Sequence, residues 1–78
     1  MVIEGVVRGV MESFPLQLQV ESGGRTHQVA LGDRTRVSRA GAEVDPGAIM
    51  PGDRVRVSGR EGPAETGGLL AEAVEVLD

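Results

Sequence analysis

The sequence predicts an all-β domain: a small five-stranded antiparallel barrel with one short helical turn between its third and fourth strands. Three observations lead there. Apolar residues recur at every second position in five separate stretches, the period of a strand with one dry face. Clusters of Gly, Pro, Ser and Asp separate those stretches and supply turn chemistry. Only one stretch suits a helix, and only for one turn, because Gly41, Gly47 and Gly52 punctuate that region. A closed barrel is preferred to an open sheet because so short a chain would otherwise leave long unpaired edges.

The elements follow in order. Ile3, Gly5 and Val7 form one face of the first strand, but valines also occupy its other parity, so Gly9 is read as a bulge. In the second strand Phe14, Leu16, Leu18 and Val20 alternate with Pro15, Gln17 and Gln19. The turn-rich Glu21–Thr26 segment closes a hairpin onto Val29 and Leu31, and the third strand continues through Arg34-Thr35-Arg36-Val37. Asp45 is a predicted N-cap with Pro46 at the first helical position, and Ile49 or Met50 then plugs one end of the barrel. Pro51-Gly52-Asp53 stops the turn. Arg54-Val55-Arg56-Val57 is the fourth strand, residues 60–68 are read as a polar loop, and Leu69 to Leu77 is the fifth strand, with Val74 and Val76 inside and Glu75 outside. The expected core is Ile3, Val7, Phe14, Leu16, Leu18, Val20, Val29, Leu31, Val37, Ile49, Val55, Val57, Val74 and Val76. No internal repeat or linker divides residues 1–78, which read as a single domain.

Composition narrows the function classes. The 78 residues contain no cysteine, which removes disulfide frameworks, thiolate metal sites and cysteine nucleophiles. The start, Met1-Val2-Ile3-Glu4-Gly5, is neither a signal peptide nor a membrane span. A cytoplasmic protein is expected if Met1 is the native start; a trimmed secreted or periplasmic domain would read the same. Net charge is −4, and all eight basic residues are arginine, as GC-rich coding or a thermophile's composition gives. Seven of the eight lie in residues 25–60, whereas 61–78 carry five acids and no base. Phe14 is the only aromatic residue, and single-stranded nucleic-acid binders usually stack bases on aromatic rings.

No catalytic constellation is present in the sequence, and no cofactor or metal is expected. His27, the only histidine, belongs to no nucleophile or orienter motif and is read as an exposed strand residue. Glu43 and Asp45 lack the spacing of a cation loop. Gly23-Gly24 and Gly67-Gly68 are turns, not phosphate loops, since no strand-to-long-helix context surrounds either. The feature with functional content is the set Arg34, Arg36, Arg54 and Arg56. These outward arginines form either a basic face for phosphates or an acidic partner, or solvated positions paired with acids on neighbouring strands.

Gly5-Val6-Val7, then Asp33-Arg34-Thr35-Arg36-Val37, then Pro51-Gly52-Asp53-Arg54-Val55-Arg56-Val57-Ser58-Gly59, and finally Ala73-Val74-Glu75-Val76 together resemble a bacterial family. That family is the group of OB-fold-like (oligonucleotide/oligosaccharide-binding) domains of unknown function. The pattern runs the whole chain, with one residue inserted in its D-T-x-V step, and it implies a fold more than an activity. Many members of that group follow secretion signals, and this chain shows none. The early glycine-valine strand and the G-D-x-V-x-V step are also similar to bacterial translation initiation factor one and its ribosomal-protein relatives, but the aromatics and lysines with which those proteins bind RNA are missing here.

The resemblance implies that the fifth strand lies between the third and fourth, bringing Glu72 or Glu75 among the four arginines. It also implies a ligand face on strands two and three, which would present Gln17, Gln19, Gln28 and Arg34 rimmed by residues 60–68. The function expected is a non-enzymatic binding or interaction module for a protein partner or an extended ligand, with no membrane involvement. The alternative is a weak single-stranded RNA binder of the initiation-factor type, and a purely structural or oligomerising domain is a third class. Phosphate binding by all four arginines would give a salt slope of about −2.8.

Overall fold

The computed structural model describes residues 1–12, 16–62 and 68–77. Its strands are β1 (Val2–Met11), β2 (Leu16–Ser22), β3 (Arg25–Arg39), the two-residue β4 (Ala42–Glu43), β5 (Arg54–Glu61) and β6 (Leu69–Val76), with a 3-10 turn at Pro46–Ala48. The fourth and fifth strands expected from the sequence are therefore β5 and β6. The sheet runs β2-β1-β5-β6-β3-β4, and a further β2–β3 pairing closes the first five main strands into a barrel, OB-like in outline.

Four seams of the ring are antiparallel, and the β3–β6 seam is parallel. The expectation of a wholly antiparallel barrel is corrected at that one seam. The reason is arithmetic: strand direction cannot alternate all the way around a ring with an odd number of members.

The alternating valines and leucines fill the interior as patterned. Eleven of the fourteen expected core residues are buried, and Ile3 and Leu16 are half-buried against them. Phe14 lies outside the described residues. Leu69 and Ala71 are buried too, and a bulge explains why the last strand reads ambiguously. On β6, Ala73 faces Ser58 and Ala71 faces Gly59, so Glu72 is an extra residue. Inward parity is odd before Glu72 and even after it. The same device acts on β1, where Val7 faces Val20 and Gly9 faces Gln19 across a register shift. Arg8 is the inserted residue, and Val10 regains the interior.

Turn chemistry sets the connections. Gly23 and Gly24 have φ of 61° and 81°, the two positive values that a two-residue hairpin of the inward-twisting kind requires. Ala40 and Gly41 repeat the arrangement between β3 and β4 with φ of 54° and 80°. Asp45 caps the 3-10 turn by accepting from Gly47 N at 3.0 Å. Ile49 plugs the barrel at 3% exposure, whereas Met50 is 63% exposed. Asp53 N then donates to Met50 O at 3.1 Å, and Asp53 Oδ2 accepts from Met50 N at 3.0 Å and pairs with Arg39 at 3.2 Å. Val7 N–H to Asp53 O and Gly52 N–H to Val7 O fasten the same turn to β1.

Two substitutions test this account. At Gly5 an added Cβ would stand 2.1 Å from the Glu21 carbonyl oxygen, so Gly5→Ala must push β1 from β2 and is expected to cost about 3 kcal/mol. Conversely, Ala40→Asn puts a residue tolerant of positive φ where alanine is strained, and should add about 0.5–1 kcal/mol. Urea midpoints of both variants at unchanged slope give the two values.

Candidate functional site

On β2, Leu18 and Val20 are buried, so period-two geometry turns Gln17 and Gln19 outward. Their cross-strand partners on β3 are Ala30 and Gln28. Gln28 Nε2 donates to Gln17 Oε1, which links the two amides diagonally across the seam. Gly9 lies opposite Gln19 on β1. A Cβ there would approach Gln19 Oε1 to 2.9 Å, so the missing side chain gives the Gln19 amide its room. The three glutamines thus form one amide patch, flanked by Gly9 and Ala30.

The four expected arginines do not converge on that patch. Because β6 separates β5 from β3, Arg54 and Arg56 stand on one side of it and Arg34 and Arg36 on the other. Arg56 lies between two acids, 3.6 Å from Glu4 and 3.3 Å from Glu75. The expected pairing of an acid with this arginine set is therefore present, made by Glu75. Arg39 is held by Asp53, and Arg8 by Glu21 at 2.7 Å. These pairs are half-exposed, so each contributes at most about 1 kcal/mol; their effect is on surface character. The Glu4–Arg56–Glu75 row breaks any continuous basic face across β1, β5 and β6.

Arg34 sits elsewhere, in a departure of β3 from β6. Leu31 faces Ala71, and the next matched pair is Arg36 with Ala73, so residues 32–35 bow outward. Thr35 holds the bow in place: its Oγ1 accepts from Gly32 N at 2.9 Å and donates to Ala71 O at 2.6 Å. The bow opens a cleft of about 380 Å³ lined by Arg34, Arg60, Asp33, Glu72, Thr35 and Leu70, among others. Arg60 was expected in a loop, but it and Glu61 extend β5, opposite Leu70 and Leu69. The signal was available, since Arg54, Arg56 and Arg60 share one parity, and the glycines that follow obscured it.

The cleft and the glutamine patch adjoin. In register, Gln17 faces Ala30, Ala30 lies beside Leu70, and Leu70 faces Arg60. One outward row therefore runs from amide to guanidinium across β2, β3, β6 and β5. His27 is a correction of another kind. It pairs with the buried Val20 and is half-buried, so it lies on the inward parity at a barrel end instead of on the exposed face. It lines a second hollow, of about 200 Å³, with Gln28, Met1, Glu61 and Leu69. Among the described residues no group of three or more His, Asp or Glu could hold a metal ion.

The fold and this surface define a small β-barrel with a polar face that ends in a charged cleft. No protein-family model, curated protein or solved structure matches the chain.

Thr35→Val tests the origin of the cleft. The isosteric change leaves the Ala71 carbonyl without its hydroxyl donor, at a cost of about 1–2 kcal/mol. Amide hydrogen exchange at Gly32 should accelerate while exchange at Val57, in the β5 core, shifts only by the global stability loss.

Proposed function

We propose that this chain is a non-enzymatic interaction module that holds an extended ligand, a segment of a partner protein, along the outward face of β2 and β3. The observation that carries the reading is the amide patch of Gln17, Gln19 and Gln28. Gln28 spends one amide donor on Gln17 Oε1; the remaining amide donors and acceptors are the groups an extended backbone needs, and Gly9 and Ala30 leave the approach low on either side. The position agrees with the ligand face of OB-like barrels, and the resemblance in the Gly5-Val6-Val7, Pro51-Gly52-Asp53 and Ala73–Val76 segments supports an OB-like bacterial lineage.

The surface charge favours a protein ligand over a nucleic acid. Arg8, Arg39 and Arg56 each lie against a carboxylate, so the exterior is chequered, and the net charge is −4. A positive groove that tracks a phosphate backbone needs the reverse.

The decisive experiment is affinity capture with the intact chain and with the triple variant Gln17→Ala, Gln19→Ala, Gln28→Ala, checked for an unchanged melting temperature. A partner recovered by the first and lost by the second supports the reading; one retained by both overturns it. A second measurement concerns nucleic acid. With Arg56 held between Glu4 and Glu75, single-stranded oligonucleotides should bind weakly, with log K falling against log salt at a slope of about −2 or shallower. Fluorescence anisotropy across a salt series gives that slope, and tight binding that survives high salt would reveal a base-reading surface.

A further inference from the structure

We infer that the cleft beside the bow of β3 is a carboxylate-recognition subsite, so that the segment bound along the glutamine face is an acidic peptide. The inference rests on the reading of that face as a binding surface and adds the chemistry of its ligand.

The first support is the state of the arginines. Among the described residues Arg34 and Arg60 make no ion pair within 4.0 Å, although Asp33 and Glu72 line the same cleft. Arg8, Arg39 and Arg56, by contrast, are engaged by carboxylates of the chain itself. Two guanidinium groups thus face a common space while the neighbouring acids stand beyond ion-pair reach. A guanidinium presents a planar fork of donors that matches a carboxylate in two-point fashion.

The second support is placement. The row from Gln17 through Ala30 and Leu70 to Arg60 crosses three strand gaps, a span of about 15 Å at strand spacing. An extended peptide of about four or five residues covers that distance. Its backbone would lie on the glutamine amides while one acidic side chain enters the cleft. The floor between the two ends is Ala30 and Leu70, both half-buried, and an apolar floor strengthens a charged hydrogen bond above it.

The third support separates peptide from polyphosphate. The volume of about 380 Å³ is at the low end for a ligand pocket and suits one side chain. Asp33 and Glu72 in the lining, with a net charge of −4 on the whole chain, repel a chain of closely spaced phosphates. A single carboxylate seated between Arg34 and Arg60 escapes most of that repulsion.

The test uses the full chain and two short extended peptides, one alternating Glu with Val and the other carrying Gln in place of every Glu. NMR titration follows the side-chain amide signals of Gln17, Gln19 and Gln28 and the Nε–H signals of Arg34 and Arg60. The acidic peptide should bind at least about tenfold tighter than its neutral counterpart and shift both sets of signals. The double variant Arg34→Gln, Arg60→Gln should lose that preference, and Arg25→Gln, which removes one charge at the exposed hairpin away from the cleft, should keep it. If both peptides shift the glutamines equally while the arginine signals stay still, the carboxylate subsite is overturned and the face survives. If the arginines respond and the glutamines do not, the face reading fails and the subsite stands alone. A single-stranded oligonucleotide that displaces the acidic peptide at equal charge would overturn the assignment to peptide.

Discussion

Five strands closing a ring must include a seam where neighbours run the same way, and the rest of this molecule is arranged around where that seam falls. Here it is β3 against β6. Every other seam can follow the alternating close and wide hydrogen-bond pairs of an antiparallel ladder. β3 has to serve two neighbours in the ring along its fifteen residues, β2 through Leu31 and β6 in two separate blocks, besides β4 at Ser38 and Arg39. Between those blocks the strand bows away, and the Thr35 hydroxyl supplies to Ala71 O the hydrogen bond that the ladder there does not. The cleft with Arg34 and Arg60 is the direct product of that bow. Barrel closure and the candidate ligand site are thus one structural fact seen from inside and outside.

The same closure accounts for what the sequence disclosed. Strand interiors such as Leu16–Val20 and Arg54–Val57 carry strict alternation, so their inward residues were legible from pattern alone. The Asp45-Pro46 cap and the Pro51-Gly52-Asp53 turn were legible because each demands a residue type: an acceptor side chain at the cap, a positive φ at Gly52. Bulges were harder to read. Gly9 betrayed one because glycine interrupts a valine-rich strand; nothing at Glu72 did so, and the inward positions of Leu69 and Ala71 followed only from its register shift. The parallel seam required no residue signal at all, since it follows from counting five strands. His27 was misread because it was judged as a lone titratable group, when its parity with Val29 and Leu31 already placed it toward the interior.

The site was legible in part for a related reason. Alternation identifies which residues point outward, so Gln17, Gln19, Gln28 and the arginines were found. It says nothing about which outward residues share a neighbourhood, because that depends on strand order. The order puts β6 between two arginine-bearing strands and thereby divides Arg54 and Arg56 from Arg34 and Arg36. Arg60, read as loop, joins Arg34 only because β5 runs four residues past Val57, its last hydrophobic residue. A charge pattern along the chain is therefore a poor guide to a charge pattern on the surface once bulges shift the register.

That shift also bears on why the acidic balance of the chain and its arginine content are compatible. Cross-strand neutralisation acts where register is regular: Glu4, Arg56 and Glu75 fall on one line because β1, β5 and β6 are in step there. At the bow the step is lost, and Arg34 and Arg60 share the cleft lining with Asp33 and Glu72 without an ion pair among the described residues. Among the described residues no polar or charged side chain is fully buried, and the interior is filled almost entirely by Val, Leu and Ile. The irregular seam places Arg34 and Arg60 beside the outward glutamines of β2 and β3, and the proposal of an extended, acidic ligand rests on that juxtaposition.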